Sequence, residues 1–433
     1  MTNLFTGRHQ RMRTTILVVV LGVVATIYTL TGYAARTRAG CEQVWPNPIS
    51  AGNQHNINSR DGCNELDDFE NFGTLINSGK FDNAGELRNL GKLLNLGKFN
   101  NFGEVTNVQS RSGNIRNDGT LNNFGNVTGF GSTNNNGILN NYGTFNAGDF
   151  GENSGVINNY ADATLSSAQR YTNNGVVNNS LGATLKTKIG WINNGLISNS
   201  GKINFDRARF LINKGVLANT KGATLSTNHE ITNAGLIQID GAVTANGTIS
   251  NVGWFLVSES GNVTGSGDFS QSAGVTVIDG EIAQNAINIS GGKLSGIGRL
   301  TSMVTMDGGM LAPADIKLGV ITVMGDYSQT AAGDLSLDIG GKEPGSEYDV
   351  LRISGTARLG GQLRVRLYDF GGGPFSPREG DQFDILRAET IVGEFAGLRL
   401  APLEQPLDWQ VAYLTDADGT LDVVRLIVTR DSQ

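Results

Sequence analysis

Six consecutive hexapeptides constrain the fold more than any other feature of the chain. Residues 73–108 divide without gaps into GTLINS, GKFDNA, GELRNL, GKLLNL, GKFNNF and GEVTNV. Glycine holds the first position, an apolar residue the third and asparagine the fifth. The third and fifth side chains lie on one face of a strand, because strand side chains alternate. Each hexapeptide is therefore predicted to be a short strand with an apolar residue and an asparagine pointing inward, followed by a glycine turn.

A longer period follows, marked by asparagine two residues before glycine. This motif recurs at spacings of 18, 20, 20, 20, 20 and 18 residues, at Asn135, Asn153, Asn173, Asn193, Asn213, Asn233 and Asn251. A unit of this length with three short apolar strands is typical of one coil of a parallel β-helix, whose inner face is buried only when coils stack. We predict an all-β fold, a parallel β-helix of right-handed sense. In it Asn173, Asn193, Asn213 and Asn233 form a hydrogen-bonded amide ladder at the corners, where asparagine and glycine both tolerate positive φ.

Ungapped alignment of four segments defines the predicted core columns. The segments are 164–179, 184–199, 204–219 and 224–239, and the aligned apolar residues are Leu165, Leu185, Phe205 and Leu225, then Tyr171, Trp191, Leu211 and Ile231, then Val177, Ile197, Leu217 and Ile237. Tyr171 and Trp191 are neighbours in the second column, so a sugar-binding platform is the alternative to a core position. We predict the core position, because aliphatic residues continue the column.

The composition excludes other repetitive folds and one class of partner. Collagen needs glycine at every third residue together with abundant proline, whereas this chain has 60 Gly and 8 Pro in 433 residues. A disordered linker would lack the 39% of hydrophobic residues found here. The net charge of -7 argues against nucleic acid as a partner, since that interaction depends on dense Lys and Arg.

The N-terminus is predicted to be an export signal. Residues 1–35 combine Arg8, Arg11 and Arg13 with an apolar run over 15–30 and small residues at 32–35. A retained membrane anchor is the alternative, because residues 14–35 are long enough to cross a bilayer. In an exported protein, Cys41 and Cys63 are expected to form a disulfide within an N-terminal cap at 36–72, with two free thiols as the alternative.

The last asparagine, Asn288, marks a boundary near residue 290. We predict an Asn/Gly-repeat helix over 73–290, with roughly eleven coils of 18–20 residues. Proline returns at Pro313, and two-residue alternation is clear in 335–339, 363–367 and 424–428. Residues 291–433 are therefore predicted to hold the end of the helix and an antiparallel β-rich cap, since an exposed terminal coil must be protected from aggregation.

The C-terminal region resembles a known class of exported proteins. The segments GVITVMGDYSQTAAGDLSLDI (319–339), YDVLRISGTARLGGQLRVRL (348–367) and GDQFDILRAETIVGEFAGL (380–398) are similar to the C-terminal part of autotransporter passenger domains. The Asn/Gly coils resemble the shafts of large filamentous bacterial adhesins more loosely. The resemblance implies secretion, a right-handed β-helix and a role at the cell surface. About 35 residues follow Leu398, so no outer-membrane barrel is expected and another export system would carry the chain.

One outer corner carries residue types that could act on a glycan. In the aligned repeats, Asp206, Arg209, His229 and Glu230 follow the first apolar column on adjacent coils. Asp206 and Glu230 would be the acid and base of a polysaccharide lyase or glycoside hydrolase, with Arg209 and His229 beside them. We predict instead that this corner is a solvated column of ion pairs without catalytic function, because its carboxylates are sparse. The cysteine and histidine spacing matches no metal site, and no cofactor is expected.

These features predict an exported bacterial structural or adhesive protein without catalytic activity, located at the cell surface or outside the cell. A periplasmic or membrane-anchored location is the alternative. Repeated polar faces would bind a host or matrix glycan or protein through avidity. The other partners expected are export machinery and further copies of the chain, the latter if the protein is a matrix or filament subunit. Contact with a membrane would occur only through the N-terminal segment.

Overall fold

A computed structural model describes residues 48–57, 62–65, 68–108, 113–205, 207–314, 317–416 and 421–430. These residues form 52 strands, and no helix occurs among them. The strands belong to three sheets, and from β1 to β50 each strand pairs with the strand three places along the chain. One coil therefore consists of one strand from each sheet.

Sheet 1 contains 17 strands, namely β1 (Gln54–Ile57), β4 (Thr74–Asn77), β7 (Lys92–Asn95), β10 (Asn114–Asn117), β13 (Ser132–Asn135), β16 (Asp149–Asn153), β19 (Arg170–Asn173), β22 (Gly190–Asn193), β25 (Phe210–Asn213), β28 (Glu230–Asn233), β31 (Ile249–Asn251), β34 (Phe269–Gln271), β37 (Ala286–Ile289), β40 (Met303–Met306), β43 (Tyr327–Gln329), β46 (Thr356–Arg358) and β49 (Thr390–Val392). Sheet 2 consists of β2 (Gly62–Glu65), β5 (Lys80–Asn83), β8 (Lys98–Asn101), β11 (Thr120–Asn123), β14 (Ile138–Asn141), β17 (Val156–Asn159), β20 (Val176–Asn179), β23 (Leu196–Asn199), β26 (Val216–Asn219), β29 (Leu236–Ile239), β32 (Trp254–Val257), β35 (Val275–Ile278), β38 (Lys293–Gly296), β41 (Met310–Pro313), β44 (Asp334–Ile339), β47 (Gln362–Leu367) and β50 (Gly397–Leu400). Sheet 3 consists of β3 (Phe69–Asn71), β6 (Glu86–Asn89), β9 (Glu104–Asn107), β12 (Asn126–Gly129), β15 (Thr144–Ala147), β18 (Thr164–Ser167), β21 (Thr184–Thr187), β24 (Lys202–Phe205), β27 (Thr224–Thr227), β30 (Ala242–Ala245), β33 (Asn262–Thr264), β36 (Glu281–Ala283), β39 (Arg299–Leu300), β42 (Val320–Val323), β45 (Val350–Ile353), β48 (Gln382–Ala388), β51 (Leu407–Leu414) and β52 (Asp422–Arg430).

The hexapeptide is one side of a three-sided coil. In β4, Leu75 and Asn77 are buried, whereas Thr74 and Ile76 face outward. Leu75 pairs in parallel with Leu93, which lies 18 residues or three hexapeptides further along the chain. The predicted fold class, an all-β parallel β-helix with a β-rich C-terminal end, is therefore confirmed. Its right-handed sense stays a prediction.

One continuous apolar core runs from Ile49 to Val428. Tyr171 pairs with Trp191, and both side chains are buried at 2% exposure. These two aromatic side chains belong to the core, so neither is available as a sugar platform. The column that contains Val177, Ile197, Leu217 and Ile237 is likewise in register and buried.

The ungapped alignment is wrong at Phe205. Ile203 continues the column of Leu185 and Leu225, and Phe205 lies opposite Thr227, two residues further along the strand. Two length changes within this coil cancel each other. The corner between β23 and β24 consists of residues 200–201, whereas the same corner of the preceding coil consists of the longer segment 180–183. The next corner, between β24 and β25, consists of residues 206–209, whereas the preceding coil has the shorter segment 188–189 there. The repeat from the start of β22 to the start of β25 therefore stays at 20 residues, so the ungapped alignment did not reveal the shift within the coil.

The C-terminal region continues the parallel stack further than expected. The alternating segments 335–339 and 363–367 lie in β44 and β47, which pair in parallel, whereas an antiparallel arrangement was predicted. Among the strands that the structure describes, β52 pairs antiparallel with β48 and with β51, and the other strand pairs are parallel. This hairpin extends sheet 3 beyond the last coil. Trp409 in β51 donates from Nε1 to the carbonyl of Ala401 at 2.8 Å.

The start of the described chain lies against the first coil. Ile49 forms a parallel bridge with Asn71 and is 1% exposed. The predicted signal or anchor at 1–35 and Cys41 lie outside the described residues. Cys63 is placed only by its backbone, opposite Phe81. The Cys41–Cys63 disulfide and the boundaries at 36–72, 73–290 and 291–433 therefore stay predictions.

Candidate functional site

A ladder of buried amides runs along the corner that follows sheet 1. Asn173 donates from Nδ2 to Oδ1 of Asn193 at 2.8 Å. Asn193 donates in the same way to Asn213 at 2.7 Å, and Asn213 donates to Asn233 at 2.8 Å. All four side chains are 0% exposed. The register of the sheet causes this geometry, because paired rungs place the same residue of each coil in line.

Each amide of the ladder also satisfies the backbone at the corner. Asn193 Nδ2 lies 2.9 Å from the carbonyl oxygen of Val216 on the next coil and 3.2 Å from that of Gly195 on its own coil. Both amide hydrogens therefore have acceptors, which a buried polar group requires. The ladder holds consecutive coils together at a point where the backbone leaves one sheet for the next.

Two further amide ladders occupy the other corners. After sheet 2, the ladder runs unbroken through Asn83, Asn101, Asn123, Asn141, Asn159, Asn179, Asn199 and Asn219 with spacings of 2.7–2.8 Å. After sheet 3, Asn71, Asn89 and Asn107 form a short ladder that ends at Gly129. The 20-residue spacing of Asn179, Asn199 and Asn219 was the signal for the longer ladder. The Asn-x-Gly motif marks it only in part, because Asn199 precedes Gly201 by two residues whereas Asn179 and Asn219 have no such glycine.

The recurrent glycine of this motif is required by close stacking. A Cβ on Gly195 would lie 2.0 Å from the carbonyl oxygen of Gly175, and one on Gly215 would lie 2.1 Å from that of Gly195. Neither Gly195 nor Gly215 is among the glycines with positive φ. The prediction that these corners use glycine for its φ freedom is therefore wrong, and contact between coils is the physical reason.

The outer surface of sheet 2 carries a second kind of amide ladder. Asn122 donates from Nδ2 to Oδ1 of Asn100 at 2.7 Å, Asn140 to Asn122 at 2.8 Å and Asn158 to Asn140 at 2.9 Å. Asn178 continues the series at 2.8 Å. These residues are the third in each strand, on the outer side of the sheet. Asn100 and Asn122 are only 5% and 8% exposed, whereas Asn140, Asn158 and Asn178 are partly exposed. They present amides at the coil spacing on an outer face.

An aromatic ladder follows the same strands at the corner. The ring centroids of Phe102 and Phe124 are 5.0 Å apart, those of Phe124 and Tyr142 are 4.8 Å apart, and those of Tyr142 and Tyr160 are 4.3 Å apart. Successive planes differ by only 5°, 6° and 2°. The rings therefore cover one another's faces, and Phe102 and Tyr142 reach solvent mainly by their edges. Burial, together with a hydrogen bond to Tyr160, raises the pKa of Tyr142 to about 12.

The residues predicted as an acid–base set lie on an exposed corner. Glu230 accepts hydrogen bonds from Thr232 Oγ1 at 3.2 Å and from Ser250 Oγ at 3.0 Å. His229 is exposed, and its backbone amide donates to Thr227 Oγ1 at 3.1 Å. Arg209 is exposed on the preceding coil, and Asp206 lies outside the described residues. Among the described residues, Glu230 therefore shares hydrogen bonds with hydroxyl groups of its own sheet.

An open groove lies elsewhere, at the corner between sheets 2 and 3. It has a volume of about 480 Å³ and runs past Glu259, Asp279, Glu281 and Arg299. Glu281 accepts a hydrogen bond from Thr301 at 2.7 Å, and Asp279 accepts one from the amide of Ile297 at 3.3 Å. Within the described ranges, no group of three or more His, Cys, Asp and Glu side chains is placed to hold a metal ion.

One carboxyl group is deeply buried near the C-terminal end. Asp349 is 2% exposed and accepts hydrogen bonds from the amides of Gly319 at 2.8 Å and Asp338 at 2.9 Å. Burial raises the pKa of Asp349 to about 8, although the two amide donors favour the ionised form. Asp349 thereby ties together the segment before β42, strand β44 and the segment before β45.

Comparison with known families and with curated proteins finds no match. The fold and its ladders define the class of the described chain as a three-sheet parallel β-solenoid with internal amide ladders. In the part of the chain that the structure describes, no helical segment has the length and apolarity to cross a membrane.

Proposed function

We propose that the protein is an exported bacterial β-helix that acts without catalysis as a structural or adhesive element at the cell surface or outside the cell. The observation that carries the proposal is the repetition of outward groups at the coil spacing. The partly exposed asparagines of the outer ladder, Asn140, Asn158 and Asn178, offer one binding geometry three times along one face. Repeated weak contacts with a polymeric partner add through effective concentration.

A glycan or an extracellular matrix protein is the partner that this surface suits. Both are polymers whose repeated groups can meet successive rungs at the same time. Carbohydrate hydroxyls and peptide groups are complementary to outward amides, which both donate and accept hydrogen bonds. The C-terminal resemblance to autotransporter passenger domains supports an exported location.

The test compares two deletions of equal length. Removing residues 154–193 joins Asn153 to Asn194 and removes two whole coils that carry Asn158, Asn178 and Tyr160. The matched deletion of 194–233 joins Asn193 to Ala234 and also removes 40 residues, but it leaves the outward asparagine ladder intact. Both variants and the full chain are applied to an array of bacterial and animal glycans and to immobilised collagen and fibronectin.

We expect apparent affinity to fall roughly tenfold on deletion of 154–193, because fewer rungs contribute to avidity, and to change much less on deletion of 194–233. Equal affinity for all three proteins would contradict multivalent binding by this ladder. Release of reducing or unsaturated sugars from the same glycans, abolished by Glu230→Gln, would instead support the polysaccharide-active alternative.

A further inference from the structure

The outer face of sheet 2 is uncharged over eight successive coils. The first residue of each strand from β14 to β35 is apolar and points outward, giving the column Ile138, Val156, Val176, Leu196, Val216, Leu236, Trp254 and Val275. The third residues give the adjacent column Asn140, Asn158, Asn178, Ser198, Ala218, Gln238, Leu256 and Val277. We call these two columns the sheet 2 face.

This face differs from the other two sides of the same coils. Sheet 1 presents Glu152, Arg170 and Glu230 outward, and sheet 3 presents Lys186 and Lys202. The sheet 2 face has no charged residue, and its column of first residues is apolar without interruption. Ile138 and Trp254 are 42% and 54% exposed, so apolar surface is available for contact. A contiguous apolar face on one side of a sheet is a typical site of association.

We propose that the sheet 2 face binds the same face of a second copy of this chain, with the two solenoid axes antiparallel. A two-fold axis along the strand direction places the column of first residues opposite itself in reverse order. Centred between Leu196 and Val216, this axis sets Trp254 of one copy against Val156 of the other. The antiparallel arrangement keeps the column of first residues apolar against apolar along all eight rungs, although Asn140 and Asn158 then face Val277 and Leu256. A parallel arrangement would instead set the apolar column against the column that contains Asn140, Asn158 and Asn178, and so would lose this apolar contact at three rungs.

The charges beyond the face favour this register. Lys98 and Thr120 precede the apolar column, and Lys293 and Met310 follow it in the same register. The centred antiparallel arrangement places Lys293 opposite Thr120 and Lys98 opposite Met310. A shift of one rung would set Lys98 against Lys293 or would place Lys293 over Ile138. Like-charge contact and burial of a lysine both cost free energy, so the flanking lysines define one register.

The size of the face indicates a reversible dimer. Eight rungs spaced about 4.8 Å apart span about 34 Å, and four-residue strands are about 13 Å wide. Face-to-face contact would therefore cover about 450 Å² on each copy, or about 900 Å² in total, which is below the range of stable interfaces and within that of weak, transient ones. We expect association that depends on concentration in the micromolar range. The dimer needs no ligand, but it would cover Asn140, Asn158 and Asn178, so within a dimer these amides would not be open to the partner of the proposed adhesive function.

Sedimentation equilibrium of the full chain tests the dimer, with Val216→Lys as the variant and Thr184→Lys as its matched control. Val216 lies beside the two-fold axis on the sheet 2 face, whereas Thr184 occupies the first position of a strand in sheet 3. Both substitutions place lysine at an outward strand position, so neither should unfold the chain. We expect Val216→Lys to weaken dimerisation at least tenfold and Thr184→Lys to leave it unchanged. A monomer at all concentrations, or equal effects of both substitutions, would overturn the proposal.

Cross-linking tests the orientation. In a chain with Cys41→Ser and Cys63→Ser, the variants Val156→Cys and Trp254→Cys are prepared separately and then mixed under mild oxidation. We expect a disulfide dimer that contains one of each variant and little dimer from either alone. Efficient cross-linking of each variant with itself would contradict the antiparallel arrangement.

Discussion

Asn193 donates from Nδ2 to Oδ1 of Asn213 at 2.7 Å, and both side chains are completely buried. The two residues lie one coil apart, and the same contact recurs along three corners of the solenoid. A buried amide that lost its partner would cost more than an exposed one, since water could not replace the hydrogen bond. The internal ladders therefore stabilise the stacking of the coils that contain them.

Substitution of a ladder asparagine should destabilise the protein. Asn193→Ala leaves Asn213 Oδ1 and the carbonyl of Val216 without their donor, and we expect a loss of about 2–4 kcal/mol at about 1–3 kcal/mol for each unsatisfied group. The adjacent Asn194 is exposed, so Asn194→Ala should change stability by less than about 0.5 kcal/mol. Chemical denaturation of both variants measures the difference, and equal stabilities would contradict the role of the ladder.

Substitution of a stacking glycine should be severe even though its φ is ordinary. Gly195→Ala would bring a Cβ to 2.0 Å from the carbonyl oxygen of Gly175, so the coils must separate there. We expect a large fall in the thermal midpoint. No atom lies within 4 Å of a Cβ built on Gly372, so Gly372→Ala is the control and should have little effect. A Gly195→Ala variant as stable as the wild-type protein would show that the coils are not packed this closely.

The aromatic ladder should contribute to stability and carry a titration signal. Tyr142 stacks on both Phe124 and Tyr160, and at about 0.5–1.5 kcal/mol for each pair we expect Tyr142→Ala to cost about 1–3 kcal/mol. Tyr142→Phe keeps both stacks and should retain most of the stability. Ultraviolet titration should show one tyrosine with a pKa near 12 that disappears in Tyr142→Phe. An unchanged titration curve would contradict the stacked environment.

Asp349 should make stability depend on pH. Burial raises its pKa in the folded protein to about 8, above the ordinary value of 3.8, so between these values the folded state holds a proton that the unfolded state has lost. The contribution of Asp349 to stability is therefore complete below about pH 4 and is lost as the pH rises towards 8.

Thermal midpoints of the wild-type protein and of Asp349→Asn, measured between pH 4 and 8, test this effect. Asp349→Asn should be less stable, because one carbonyl oxygen cannot accept from both Gly319 and Asp338. It should also lack the part of the pH slope that Asp349 causes. A slope that is the same in both proteins would contradict the raised pKa.

The hexapeptides and the Asn-x-Gly period were sufficient to predict the solenoid and the position of Asn173, Asn193, Asn213 and Asn233. Periodicity reports which residues face inward, because a one-residue error in a strand would turn apolar side chains to solvent. It does not report corner lengths, so the compensating changes around Phe205 were invisible. The parallel pairing of β44 with β47 was also missed, because alternation alone is common to parallel and antiparallel strands.

The outward features depended on comparing positions between coils. Phe102, Phe124, Tyr142 and Tyr160 are spaced by 22, 18 and 18 residues, which follows the varying coil lengths and has no constant period. Their stacking becomes evident only when the backbone register is known. The acid–base hypothesis had a different weakness. It placed Asp206 beside Glu230 by an ungapped alignment, although the corner that contains residue 206 differs in length between coils.

The variant Asn193→Asp tests the central role of the amide ladder most directly. The substitution keeps the shape of the side chain but replaces the NH₂ donor by a carboxylate, which is buried and should have a pKa well above the ordinary value of about 3.9. We predict that the loss in thermal midpoint relative to the wild-type protein is large near neutral pH. It should shrink towards pH 4, where the protonated carboxyl group regains a donor for Asn213. The control Asn194→Asp should show a small difference at all pH values. A loss for Asn193→Asp that does not change with pH would contradict the account.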